Sequence, residues 1–184
     1  MPMRKHYILS YDASRDDIEA VSDYKLGQFD LTVFWSGQRF QGTIPPDVRL
    51  YVSDGKASDF LANPISWPIV SDRFFSQIRG LVEQSCQILD VPLFREGTNA
   101  AIDGFSLMNV TTTVSALESN NRIREVSAQD LLLDPSRIPD DVHIFRLAES
   151  STLLIVSSAV ADLVIRNECE GVALVNTKST EDTI

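Results

Sequence analysis

The chain has 184 residues, of which 43% are hydrophobic, and 26 Asp and Glu outnumber 16 Lys and Arg to give a net charge of −10. This acidity excludes a typical nucleic-acid-binding protein, because phosphate binding needs an excess of Lys and Arg. No apolar run reaches the roughly 18 residues of a membrane span, and residues 1–10 lack the apolar centre of a signal peptide. We therefore expect a cytoplasmic protein that does not enter a membrane.

The first third of the chain contains short runs of β-branched and aromatic residues, the pattern of strands. Three strands are predicted, at His6–Tyr11, Leu31–Trp35 and 48–52. A charged segment from Ser14 to Glu19 is consistent with either a helix start or a surface loop.

A strand–helix–strand unit follows. Ile69 and Val70 form a short apolar strand, and Ser71 stands where a helix cap belongs. Apolar residues then recur at helical spacing, which predicts a helix over 72–85 with this buried face: Phe74, Phe75, Ile78, Leu81 and Val82. Residues 88–94 return as a strand, in which Pro92 indicates an edge or a strand end. Another strand is predicted over 105–113.

A second unit of this kind spans 142–175. Residues 143–147 alternate as a strand, residues 153–156 form an unbroken aliphatic strand, and Ser157 or Ser158 can cap a helix over 158–168. Gly171 supplies the positive φ that commonly follows a helix, and residues 172–175 return as a strand. The two units echo each other, which an internal duplication or a chance recurrence of a common arrangement would explain.

These elements predict one α+β domain over residues 1–175, with a mixed or mostly antiparallel sheet and two main helices. Residues 176–184 (NTKSTEDTI) are all polar or small except the last, Ile184. They have almost nothing to bury, so we expect a mobile C-terminal tail.

The residues that could support catalysis are few. The histidines, His6 and His143, both lie in predicted strands, and no serine or cysteine nucleophile pattern stands beside His143. Cys86 and Cys169 do not form a C-x-x-C pair, and neither has an electropositive setting in the sequence. We find no phosphate-binding glycine loop and no metal-ligand spacing, so we predict no catalytic residues, no metal and no cofactor.

The negative charge is concentrated in the second half of the chain. Up to Ala100 ten Lys and Arg face thirteen Asp and Glu, whereas beyond it six face thirteen. Because binding residues are often found in connections, we predict partner-binding roles for the carboxylates that flank strands there: Asp134, Asp140, Asp141 and Glu149. Solubility alone would also favour such an excess.

Ordered blocks of sequence carry a family resemblance. They include DVRLYV at 47–52, PIVSDRFFSQI at 68–78, GFSLMNVTTTVSALE at 104–118 and LLLDPSRIPDDVHIFRL at 131–147. In order and spacing, from about Val48 to Val175, the chain resembles immunity protein family eleven of bacterial polymorphic toxin systems.

The resemblance implies a small non-catalytic protein that binds and neutralises a cognate toxin effector by stoichiometric protein–protein association. It implies no catalytic residues and does not specify the toxin. The acidic balance favours a basic toxin, because complementary charge speeds association. The alternative is a non-inhibitory adaptor, or effector-loading module, that binds the delivery domain of a secreted toxin.

Overall fold

The computed structural model describes residues 5–118 and 131–179, which contain two α-helices, α1 (Asp72–Val82) and α2 (Ser158–Arg166). The strands of the same residues are, in chain order, β1 (His6–Tyr11), β2 (Val21–Lys25), β3 (Arg49–Val52), β4 (Ile69–Ser71), β5 (Cys86–Asp90), β6 (Leu93–Arg95), β7 (Ala101–Ile102), β8 (Phe105–Val110), β9 (Thr113–Val114), β10 (Leu132–Leu133), β11 (Ile144–Leu147), β12 (Ser150–Ser157), β13 (Val172–Asn176) and β14 (Lys178–Ser179).

The strands form several sheets. One has five strands in the order β13-β1-β12-β11-β9, one has four in the order β2-β3-β6-β7, and one has three in the order β4-β8-β5, while β10 pairs with β14. Most pairs are antiparallel, but β3–β6, β9–β11 and β10–β14 are parallel. The predicted α+β fold is confirmed, with its strands divided among sheets rather than gathered in one.

The two strand–helix–strand units have the same topology. β4 and β5, joined through α1, are both antiparallel to β8, which lies between them. β12 and β13, joined through α2, are likewise both antiparallel to β1, which lies between them. The similarity between the two units in the sequence therefore corresponds to one arrangement that occurs twice. In each unit the two strands joined through the helix are not neighbours, and a strand from elsewhere in the chain pairs between them.

The five-stranded sheet is buried on both faces. On β1, Leu9 packs into a core shared with α1 and α2, whereas its neighbour Ile8 packs on the opposite face with Phe145 and Ile155. The alternation of strand side chains places these neighbours on opposite faces. A third core, around Phe34 and Trp67, lies between the four-stranded and three-stranded sheets.

The prediction of a strand at Leu31–Trp35 is wrong, because these residues form a 3₁₀ helix. Asp30 precedes it, and the Thr32 amide donates to Asp30 Oδ1 at 2.9 Å. This local bond competes with strand pairing and begins a turn instead. The turn buries Phe34 edge-on against Trp67, with ring centroids 5.0 Å apart.

The predicted strand over 88–94 is divided. Cys86–Asp90 belongs to the three-stranded sheet, whereas Leu93–Arg95 belongs to the four-stranded sheet. Pro92 has no amide hydrogen for a ladder, so it marks a strand end, which was one of the two roles predicted for it. The helices also end earlier than predicted, with a 3₁₀ turn over Glu83–Ser85 after α1.

The predicted boundary at 175 differs from the structure. Asn176 completes β13, and β14 (Lys178–Ser179) pairs with β10. Between them Thr177 is buried, and its hydroxyl donates to the His6 carbonyl at 2.8 Å. The backbone groups of these polar residues form hydrogen bonds with neighbouring strands. The segment therefore belongs to the folded domain although its side chains bury little apolar surface. Residues 180–184 of the predicted tail lie outside the described residues.

Neither helix in the described part of the chain has the length and apolar character needed to cross a membrane.

Candidate functional site

The four carboxylates predicted to bind a partner lie around β11 but do not form one cluster. Asp140 and Asp141 precede the strand, whereas Glu149 follows it. A four-residue strand separates the two ends by about 13 Å or more. Asp134 lies earlier in the chain, where it caps the 3₁₀ helix Pro135–Arg137.

Asp134 and Glu149 hold the loops in which they lie. Asp134 Oδ1 accepts hydrogen bonds from the Ser136 amide at 3.0 Å and hydroxyl at 2.6 Å, and its other oxygen pairs with Arg137. The Ser136 hydrogen bonds are the main reason that the pKa of Asp134 lies below its ordinary value. Glu149 accepts from the Ser115 hydroxyl at 2.6 Å. Both carboxylates already make hydrogen bonds within the protein, so a partner would have to bind them in addition to these contacts.

Asp140 and Asp141 are exposed. Asp140 also lines a cavity of about 190 Å³ beside the start of α2, together with Lys5, His6 and His143. Of the adjacent pair, Asp140 therefore lies at a concave surface, and Asp141 is exposed next to it in sequence. The role of the pair in binding stays a prediction.

The same cavity contains a contact that the sequence did not reveal. Antiparallel pairing of β11 and β12 brings His143 opposite Ser157, and His143 Nδ1 lies 2.9 Å from Ser157 Oγ. The sequence beside His143 has no nucleophile pattern, and the two residues, which are far apart in sequence, are brought together only by strand pairing. A β-bulge between Arg146 and Leu147 shifts the register that the turn near Glu149 sets, so the turn alone would not have indicated this pairing.

The contact alone does not make a nucleophilic centre. A serine nucleophile needs a base whose second ring nitrogen is oriented by another group, as in catalytic triads. Within residues 5–118 and 131–179, no carboxylate is hydrogen bonded to the His143 ring. Instead, the contact occupies the Ser157 hydroxyl, which makes no capping bond to α2, whereas the Ser71 hydroxyl caps α1 by accepting from the Phe74 amide.

A second cavity, of about 330 Å³, lies where β9, β11 and β12 meet the 3₁₀ helix of residues 31–35. Its lining residues, several of them hydroxylic, are Thr32, Trp35, Ser36, Thr113, Arg146, Leu147, Ala148 and Ser151. Gly37 allows the loop to approach β9, because a Cβ at this position would overlap the Thr113 hydroxyl.

Arg146 is the unusual member of this cavity. It belongs to the apolar strand β11, and its side chain is only 1% exposed. Nε donates to the Val110 carbonyl at 3.1 Å and Nη1 donates to the Ser151 carbonyl at 2.7 Å. Nη2 is buried and has no hydrogen-bond partner among the described residues. Sequence alternation placed Arg146 on a strand but gave no sign of this burial.

The burial of Arg146 has an electrostatic consequence. Desolvation lowers the pKa of its guanidinium to about 10, so the group stays charged at neutral pH. None of the ion pairs in the described ranges involves Arg146. A buried positive charge without a carboxylate partner is costly, which makes this cavity the strongest candidate for a ligand site.

The cysteines have the properties of structural thiols. Burial raises the pKa of Cys86 to about 12 and also raises the pKa of Cys169, so neither thiol is activated as a nucleophile. Among the described residues, no group of His, Cys, Asp and Glu side chains could hold a metal ion.

No protein-family model matches the chain, and no curated protein matches its sequence significantly.

Proposed function

We propose that this protein is an immunity protein that neutralises a basic toxin by stoichiometric association. The observation that carries the proposal is a surface with many more carboxylates than basic groups, in a chain of net charge −10. The family resemblance carried by the ordered sequence blocks described above implies that the partner is a toxin. The proposal needs no catalytic step from the protein itself.

Local structure keeps the acidic surface charged. Asp12, Asp30 and Asp134 each accept hydrogen bonds from a Ser or Thr two residues later, chiefly through its hydroxyl, and each has a pKa below the ordinary aspartate value. Stabilising the carboxylate form by hydrogen bonds preserves the negative field down to acidic pH. A field of this sign attracts a basic protein and orients it before contact.

Protection of cells tests the proposal. Expressing the protein with a basic toxin encoded beside its gene should restore growth, and the two purified proteins should form a complex of fixed stoichiometry. Ser157→Ala, which removes the hydroxyl beside His143, is expected to protect as well as the wild type. A Ser157→Ala variant that melts normally but fails to protect would indicate catalysis. A complex that leaves the toxin active would favour an adaptor.

Association kinetics test the role of Asp140 and Asp141. Converting both to Lys should slow association with the toxin by about tenfold or more at low ionic strength, because rim charges act mainly on the encounter rate. The difference should shrink as salt is added and the Debye length falls to about 10 Å or less. Stopped-flow mixing over a salt series measures both effects.

A matched control uses Asp54 and Asp103, exposed carboxylates in turns next to the four-stranded sheet. Converting these two to Lys changes the net charge equally, so any greater slowing by the Asp140 and Asp141 variant reports position rather than total charge. Equal slowing by both variants would mean that only total charge matters. No slowing by either would show that the acidity serves solubility.

A further inference from the structure

We propose that the cavity between Trp35 and Arg146 binds a carboxylate, held by Nη2 of Arg146 and the hydroxyls of Thr113 and Ser151. The lining residues Arg146, Leu147 and Ala148 lie at the end of β11, whereas Asp140 and Asp141 precede the strand. The proposal does not depend on a toxin partner. Its ligand is a monoanionic carboxylic acid, either a small free acid or the carboxylate of another protein.

The first argument is charge. Arg146 is 1% exposed, yet its two hydrogen bonds are both to backbone carbonyls, of Val110 and Ser151. Carbonyl oxygens carry only partial charge and leave the guanidinium without a counterion. Buried charges are normally paired, and a buried N–H without an acceptor costs about 1–3 kcal/mol. A bound carboxylate would supply both the missing charge and the missing acceptor.

The second argument is the set of donors. The Thr32 hydroxyl is occupied by Asp30 Oδ1 at 2.7 Å, and the Ser36 hydroxyl is occupied by the Val33 carbonyl at 2.9 Å. The hydroxyls of Thr113 and Ser151 line the same cavity and make no hydrogen bond to a described residue. One free guanidinium nitrogen and two free hydroxyls can satisfy the two oxygens of a carboxylate.

Charge also selects against phosphate. A single guanidinium balances one negative charge, and the ionised Asp30 carboxylate lies beside the cavity through its bond to Thr32. A dianion would meet this carboxylate and the net charge of −10 with only one cation to offset them. A monoanion is therefore the favoured class of ligand.

Cavity size and the indole ring of Trp35 limit the rest of the ligand. At roughly 30 Å³ for each water, 330 Å³ equals the volume of about eleven waters, enough for a small organic acid or a chain end. The Trp35 ring is partly buried, and its N–H donates to the Ile65 carbonyl at 3.3 Å. With its N–H occupied, the ring offers an apolar surface to the organic part of the acid.

Nuclear magnetic resonance of the full-length, isotope-labelled protein tests the site with acetate as the probe. Acetate replaces chloride at constant ionic strength, and acetamide serves as the uncharged probe of the same shape. We expect saturable shifts at the Thr113 and Ser151 amides and at the Arg146 Nε–H with acetate, and no saturable shift with acetamide. Linear shifts, or equal responses to both probes, would overturn the proposal.

Variants locate the binding groups without removing the buried arginine. The Thr113→Val, Ser151→Ala double variant changes two exposed side chains, and we expect it to bind acetate at least about tenfold more weakly, a loss of about 1.4 kcal/mol. Thr152→Val, at the next position on β12 and outside this cavity, should bind as the wild type does. Unchanged affinity in the double variant would also overturn the proposal.

Two further probes separate the sources of the carboxylate. An N-acetylated dipeptide with a free C-terminus is compared with its C-terminal amide and with acetate. Tighter binding of the free-acid dipeptide than of acetate would identify a protein chain end, whereas tighter binding of acetate would identify a small acid. Inorganic phosphate is the last probe, and if it binds more tightly than every carboxylate, the assignment of ligand class is wrong.

Discussion

Replacing Phe74 with alanine is expected to lower the free energy of unfolding by about 3–5 kcal/mol, the range for removing a buried aromatic ring. Phe74 is fully buried in the core shared by α1, α2 and the five-stranded sheet. Its ring meets Phe60 edge-on with centroids 6.4 Å apart. The substitution therefore removes apolar surface and leaves a cavity between elements that cannot fully collapse.

Phe75 is the matched control, since it is the same residue on the next position of the same helix. It is only partly buried and packs at the border of the core. We expect Phe75→Ala to cost about half as much or less, because the removed ring was partly hydrated already. Urea unfolding of both variants measures the difference. Equal losses would mean that α1 is rotated relative to the structure.

Replacing Asp59 with alanine is expected to cost about 2–4 kcal/mol, because one buried carboxylate makes several charge-assisted hydrogen bonds. Asp59 is 4% exposed and accepts from the Ser71 hydroxyl at 2.6 Å, from the Arg73 guanidinium, and from the Glu170 amide at 2.8 Å. Ser71 caps α1 and Arg73 lies in its first turn, whereas Glu170 lies between α2 and β13. The carboxylate therefore joins the two strand–helix–strand units.

The pH dependence of this effect has a definite sign. Burial acts to raise the pKa of Asp59, but the hydrogen bonds from Arg73, Ser71 and Glu170 outweigh it and hold the pKa below the ordinary value of 3.8. A pKa lowered by folding stabilises the native state above the unfolded-state value and loses that effect as pH falls through the folded-state value. The stability gap between wild type and Asp59→Ala should therefore be constant near neutral pH and narrow below about pH 4.

Asp17→Ala provides the control for ion pairing as such. Asp17 pairs with Arg15 at 2.6 Å and with Lys56 at 2.7 Å, but it is exposed. Exposed ion pairs contribute about 0–1 kcal/mol, so this variant should remain close to wild type in urea unfolding. A loss as large as that of Asp59→Ala would show that burial is not the reason for the Asp59 effect.

Short-range patterns were sufficient for much of the fold. Ser71 followed by apolar residues at helical spacing located α1, and an unbroken aliphatic run followed by Ser157 located the boundary between β12 and α2. The choice between Phe74 and Phe75 was beyond that pattern. Adjacent helix positions differ by about 100°, so which of the two faces the core depends on how the helix is rotated against the sheets.

Strand pairing, by contrast, depended on partners distant in sequence. At Leu31–Trp35 strand propensity was high, but the Asp30 side chain and burial of Phe34 against Trp67 favoured a 3₁₀ helix. At Pro92 the chain passes from one sheet to another, which an apolar run cannot indicate. Propensity describes what a segment can form alone, whereas pairing is decided by the energy of the assembled sheets.

The candidate sites divide in the same way. The sequence by itself determined the acidic balance and the placement of Asp140 and Asp141 in a connection, since composition and turn residues are local properties. Only the tertiary structure decided that His143 meets Ser157 and that Arg146 is enclosed beside Trp35. Those contacts follow from the register of β11 against β12 and from the docking of a loop more than a hundred residues earlier in the chain. The burial of a charge is a property of all the surfaces around it, which the alternation of one strand does not contain.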